Sequence, residues 1–138
     1  MNNILKISDA ASLALHAMVI IGQREEKPES VKSISEMLGV SSNHLSKVLQ
    51  KLVKAGLVTS MKGYGGGFFL VKKPEDVTFL EIYEAIDGKF SPTGCLLNKS
   101  TPCEKCIMGN LITSMNKQAK DYFSGVTLAD FANKKFNK

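Results

Sequence analysis

Residues 31–72 read VKSISEMLGVSSNHLSKVLQKLVKAGLVTSMKGYGGGFFLVK, and the change of hydrophobic period inside this stretch decides the fold. In Val31–Leu38 the apolar residues Ile34, Met37 and Leu38 recur at helical spacing and run into Gly39. A second helix starts near Ser41, where Leu45, Val48, Leu49, Leu52 and Val53 form one apolar stripe that Gly56 closes. Beyond Gly56 the period becomes that of strands, Leu57–Met61 and Phe68–Lys72. Lys62-Gly63-Tyr64-Gly65-Gly66-Gly67 between them makes a hairpin with a glycine-rich tip. Helix, glycine turn, helix and two-stranded wing is the order of a winged helix-turn-helix.

Upstream, Ser8–Ile21 carries Ala10, Leu13, Ala14, Ala17, Met18 and Ile21 at helical spacing, with Gly22 expected to end the helix and Gln23–Ser30 a loop. Downstream, Pro74 ends the second strand, and Thr78-Phe79-Leu80-Glu81 has the form of a capping box opening a helix through about Ile86. Asp87–Ser100 reads as a loop. Thr101-Pro102-Cys103-Glu104 is a second capping pattern, with Pro at the first helical position. The helix it opens is expected to run to about Phe123, its stripe of Ile107, Leu111, Met115, Ala119 and Tyr122/Phe123 suited to a partner helix. A short turn, Thr127–Phe131, follows. The expected class is mainly α. Residues 1–86 form the winged helix-turn-helix, 87–106 a cysteine-bearing loop, and 107–138 a dimerisation helix and tail.

The chain has 138 residues, 43% hydrophobic and 22% charged, which suits one compact domain with an appendage. No apolar run approaches the roughly 20 residues that span a bilayer, and the N-terminus lacks a secretory pattern. A cytoplasmic protein with no membrane partner is expected, its thiols free or metal-bound. The formal charge of +5 lies wholly in residues 1–73, where ten Lys/Arg face five Asp/Glu. Such a bias fits a polyanion-binding module as well as a solvated lysine-rich surface.

With the apolar stripe of the second helix on the core, the opposite face shows Asn43, Ser46, Lys47 and Gln50, with His44 and Lys51 beside it. Amides, hydroxyls and a cation in this arrangement suit base edges and phosphates of double-stranded DNA. Ser41 is the expected N-cap, and free N–H groups around Ser41 and Ser42 can meet a phosphate. Lys62, Gly63 and Tyr64 at the wing tip would reach the backbone or a minor groove. The alternative is a winged-helix protein-interaction module with no DNA role. The glycine run is followed by a strand, not by a helix bearing Lys and Ser/Thr, so it does not read as a nucleotide-phosphate loop. No nucleophile set is apparent, and no enzyme is expected.

Cys95, Cys103 and Cys106 are the only cysteines and fall within twelve residues. Cys103 and Cys106, three apart in an expected first helical turn, would share a face where the helix N-terminus favours thiolates. Three such thiolates suit an iron–sulfur cluster, zinc or a redox disulfide. His16, within a helix, and His44, on the DNA-reading face, are poor ligand candidates.

Ile34 to Leu49, then Ala55-Gly56-Leu57-Val58, then Gly63-Tyr64-Gly65-Gly66-Gly67 together resemble the Rrf-two family of transcription repressors, over Leu5 to Phe131. Asn43-His44 with Lys47, and Ser8-Asp9, most resemble its NsrR branch. The resemblance implies a homodimer crossing long C-terminal helices and reading a two-fold operator. It also implies an iron–sulfur cluster, [4Fe-4S] or [2Fe-2S], on the three cysteines, readily lost in air, whose loss or nitrosylation changes operator affinity. Nitric oxide, redox state or iron would be the signal. The family's minor-groove Arg is Lys62 here, and the gap from Cys103 to Cys106 is shorter than usual. Where the IscR branch has a histidine ligand this chain has Gly109. The NsrR branch's aspartate ligand, given by the other subunit, matches Asp9, which could equally be an acid favouring its own helix dipole.

Overall fold

The computed structural model describes residues 7–24, 27–63, 65–91, 95–97 and 106–132. Tyr64, Cys103 and the whole Thr101–Glu104 capping pattern lie outside the described residues.

The first helix, α1 (Asp9–Gln23), is capped by Ser8, whose hydroxyl accepts from the Ala11 N–H at 3.0 Å. It is buried nearly all round, so it forms the centre of the fold rather than a surface layer. Gly22 does not end it. The glycine stays helical and buried, and a Cβ there would make ordinary contact with Leu128 and Leu70 side chains at 3.5–3.7 Å.

Helix α2 (Val31–Leu38) is capped by Ser30 and ends at Gly39, whose φ of +67° favours glycine. Helix α3 (Ser42–Lys54) follows with Ser41 as N-cap. Strands β1 (Val58–Met61) and β2 (Gly67–Leu70) pair antiparallel, Val58 opposite Leu70 and Met61 opposite Gly67. A 3-10 turn, Pro74–Asp76, leads to α4 (Phe79–Asp87). Thr78 caps α4 by accepting from the Glu81 N–H at 3.1 Å. The Glu81 carboxylate instead accepts from Lys72 Nζ at 2.9 Å, so the expected box forms only in its first half.

Helix α5 (Leu111–Gly125) begins nine residues after the Pro102 start that the sequence suggests. Residues 107–110 are a turn in which Gly109 has φ +58°, a left-handed break that stops any helix from running through it. After α5 the chain returns to the first unit. Phe79 N–H donates to Val126 O at 3.0 Å, and Leu128 N–H to Val77 O at 3.1 Å. The last 3-10 turn, Leu128–Phe131, carries a full capping box between Thr127 and Asp130 and buries Leu128. One core joins these parts, with Met18 and Ile21 of α1, Ile34 of α2, Leu45, Leu49 and Leu52 of α3, and Ile82 of α4.

Candidate nucleic-acid interface and cysteine loop

Burial of Leu45, Val48, Leu49 and Leu52 fixes the rotation of α3. Its solvent side then presents Asn43, His44, Lys47, Gln50, Lys51 and Lys54, all exposed, with Ser46 half-buried. Val53 was assigned to the buried stripe; it lies at the edge and is 37% exposed. Among the described residues the lysines of α3 form no ion pair, which leaves their charge available to a polyanion. Ser41 Oγ accepts from the His44 N–H at 3.3 Å, and Ser42 Oγ lies 3.2 Å from Ser35 Oγ. The latter contact ties the start of α3 to α2.

The wing places Lys62 and Gly63 in solvent. Gly63 and Gly65 have φ of +101° and +77°, and the Gly66 N–H closes a tight turn onto Gly63 O at 2.9 Å. Side chains are also excluded below the tip. A Cβ at Gly66 would lie 2.2 Å from Met61 O, and one at Gly67 2.5 Å from Glu29 O. The glycine run thus has a complete account in hairpin geometry.

The cysteines stand in a different setting. Cys95 is half-buried and followed by exposed Leu96 and Leu97. Cys106 is exposed, and its carbonyl accepts from the Gly109 N–H at 3.0 Å. It lies five residues before Leu111 and is itself non-helical, so it does not sit in a first helical turn. The expected placement of Cys106 in a first helical turn is therefore corrected. Asp9 is exposed at the first position of α1. Among the described residues no group of three or more His, Cys, Asp and Glu could hold a metal ion.

Two residues at these sites had no signal in the sequence. Asp87, the last of α4, accepts from Ser8 Oγ at 2.6 Å and from the Ser8 N–H at 3.3 Å. It joins the start of α1, next to Asp9, to the root of the cysteine loop. Glu29, in the segment that the sequence reads as a loop, is buried. The Ser8–Asp87 contact and the Glu29–Phe68 backbone pair are long-range, and no local pattern marks them.

The geometry has counterparts among known proteins. The sequence model of the Rrf2 family, described as an iron-dependent transcriptional regulator, matches residues 7–134. The HTH-type transcriptional regulator IscR of Aliivibrio salmonicida is 28% identical over 130 residues, covering 91% of this chain and 76% of that one. The structure of CymR, the global cysteine regulator of B. subtilis, superposes with a TM-score of 0.81 at 28% identity, covering 96% of this chain and 99% of that one. T. potens IscR does so with a TM-score of 0.71 at 28% identity, covering 92% and 85%. No helix among the described residues is long and apolar enough to cross a membrane. With a winged helix-turn-helix, a solvent-facing basic α3 and these matches over nearly its whole length, the chain belongs to the Rrf2 family and is a DNA-binding transcriptional regulator, not an enzyme.

Proposed function

We propose that the protein is a homodimeric repressor of a two-fold operator, and that an iron–sulfur cluster on Cys95, Cys103 and Cys106 controls its affinity. The observation that carries the DNA part is α3. Its buried stripe leaves Asn43, His44, Lys47 and Gln50 on the open side, with Ser46 at the margin. Amide side chains reach adenine edges, and Lys47 reaches guanine or phosphate. Ser41 and Ser42 present backbone N–H groups to a phosphate, and Lys62, Gly63 and Tyr64 take the flank.

Dimerisation is supported by apolar surface that a monomer would leave wet. Ile107 is 91% exposed, Leu97 74%, and Leu111 and Tyr122 about half. The donor chemistry of the cysteine loop fits an iron–sulfur cluster, since soft thiolates are its usual ligands. The three cysteines would hold it, with Asp9 of the other subunit as fourth ligand. When bound, it would supply a centre reactive to nitric oxide and oxidants. The chain's own part is mechanical: Asp87 ties the loop's root to Ser8, so loop and α1 are linked at the end nearest Asp9. The test is operator binding by anaerobically reconstituted and cluster-stripped protein across a salt series, with iron and sulfide analysis. A steep salt dependence with a large difference between the two forms is expected. Equal affinity of both forms would sink the cluster reading, and binding indifferent to salt would sink the DNA interface.

The likeness to CymR, named a global cysteine regulator, favours a second reading in which the same cysteines act as a thiol–disulfide switch. Exposed Cys106 is accessible to an oxidant. A metal-free response to mild oxidant, abolished by Cys106→Ser, would select it; stoichiometric zinc would select a structural staple.

A further inference from the structure

Glu29 is 8% exposed, and only one other polar residue among those described, Ser35, is as buried. Its carboxylate is held from two sides. Oε1 lies 3.3 Å from Arg24 Nε, just past the end of α1, and Oε2 accepts from Ser33 Oγ of α2 at 2.9 Å. Its backbone is held from a third. Glu29 N–H donates to Phe68 O at 3.0 Å, and Glu29 O accepts from the Phe68 N–H at 2.8 Å. Glu29 thereby extends the wing sheet by one residue on the β2 side.

The approach is close enough to require glycine at the neighbouring position, since a Gly67 Cβ would stand 2.5 Å from Glu29 O. Arg24 is half-exposed, so the Ser33 hydrogen bond and the backbone pair carry most of the hold. Two residues beyond Ser33, Ser35 touches Ser42 at the start of α3. One residue thus joins the end of α1, the front helix of the DNA-reading pair and the tip end of strand β2. Removing its partners would leave a buried carboxylate uncompensated, so the set holds or fails together.

We propose that Glu29 is a positioning residue for DNA binding: its clasp on Arg24, Ser33 and Phe68 sets where the wing tip at Lys62 and Gly63 stands relative to α3. This rests on the reading that the wing touches DNA. The test is a double-mutant cycle of Glu29→Ala and Lys62→Ala in the full chain, on a duplex selected from random sequence by the unmutated protein, with hydroxyl-radical footprints of each. Lys62→Ala alone should weaken binding roughly three- to tenfold and lower the salt slope by about one. Glu29→Ala removes the Arg24 and Ser33 contacts but keeps the backbone pair to Phe68; it should weaken protection at the flanks and keep that of the α3 half-sites, and Lys62→Ala should cost less on that background than it does alone.

Additive losses with an unchanged footprint would overturn the clasp while leaving the wing contact standing. Should Lys62→Ala alone change neither affinity nor footprint, the wing reading itself fails and takes the clasp with it. If circular dichroism shows Glu29→Ala unfolded, Ser33→Ala removes one hydrogen bond only and runs the same cycle. Full additivity there also overturns the proposal.

Discussion

The DNA-reading unit and the cysteine loop with α5 are built on opposite economies of surface. In the first, α1 is wrapped on nearly every side, and α2, α3 and α4 each turn an apolar stripe onto it. In the second, Leu96, Leu97, Ile107, Leu111 and Tyr122 stay in solvent, and Phe123 is the one residue of α5 buried. A unit that closes its own core keeps its polar face for a ligand, whereas exposed apolar side chains beside α5 are what the proposed dimer would cover.

The sharpest way to break this contrast is to cut one side chain from each region. Leu52 is fully buried beneath α3. Leu52→Ala should cost about 2–5 kcal/mol, from lost transfer energy plus a residual cavity. Urea unfolding monitored by circular dichroism reads this as a lower midpoint at unchanged slope. A loss below about 1 kcal/mol would mean that the core relaxes around the gap and the first unit is not the tightly packed one.

Leu111 offers the reverse experiment. It is about half exposed at the start of α5, so Leu111→Lys should change the stability of a lone subunit by no more than about 0.5 kcal/mol. If α5 completes a dimer, the variant sediments as a monomer. It then loses on the order of a hundredfold in affinity for a two-fold operator, because the second half-site is no longer tethered. A variant that stays dimeric with full operator affinity would place the dimer surface elsewhere.

The same contrast explains what the sequence disclosed. The winged unit was legible because its signals are local and agree: the α3 stripe, the left-handed Gly39 and the glycines of the hairpin each demand one conformation. Asn43, Lys47 and Gln50 followed by subtraction, once the buried face was known. The sequence runs one helix from Pro102 to about Phe123, and that single run is interrupted at residues 106–110. Gly109, read only as a missing ligand, carries the break. Gly22 points to a helix end by residue type alone, yet an internal glycine with ordinary helical backbone is tolerated one residue before the end of α1. Glu29 and Asp87 stayed invisible because their partners are distant in sequence or depend on how the loop folds back onto the wing.

A smaller effect separates the structural and the binding roles of one cap. Ser41→Ala removes the acceptor for the His44 N–H and should cost about 0.5–2 kcal/mol of stability. Ser41→Asp restores an acceptor and favours the helix dipole, so thermal unfolding should return to near the unmutated value. Operator affinity should fall further with Asp than with Ala, because a carboxylate now meets the phosphate that the N–H groups were to receive. Equal affinities for the two variants would remove the phosphate from the start of α3.

The smallest effect lies at the seam between the two regions, where Tyr83 of α4 packs its ring 5.8 Å from both Phe90 and Phe123 of α5. Burial raises its phenol above the ordinary value of 10.0, and the carboxylates of Asp87 and Glu84 push in the same direction. In the unfolded chain the phenol loses its proton first as pH rises, while the folded chain resists. Stability from this group is therefore intact below about pH 10 and is lost as pH climbs through the raised folded value. Tyr83→Phe cannot ionise, so its stability should fall less steeply than that of the unmutated protein above about pH 10, the two curves running parallel below it. The divergence should be modest, since the hydroxyl is only partly withdrawn from water. Parallel curves throughout the alkaline range would show that the ring sits at a looser seam, and that α4 and α5 part before the phenol titrates.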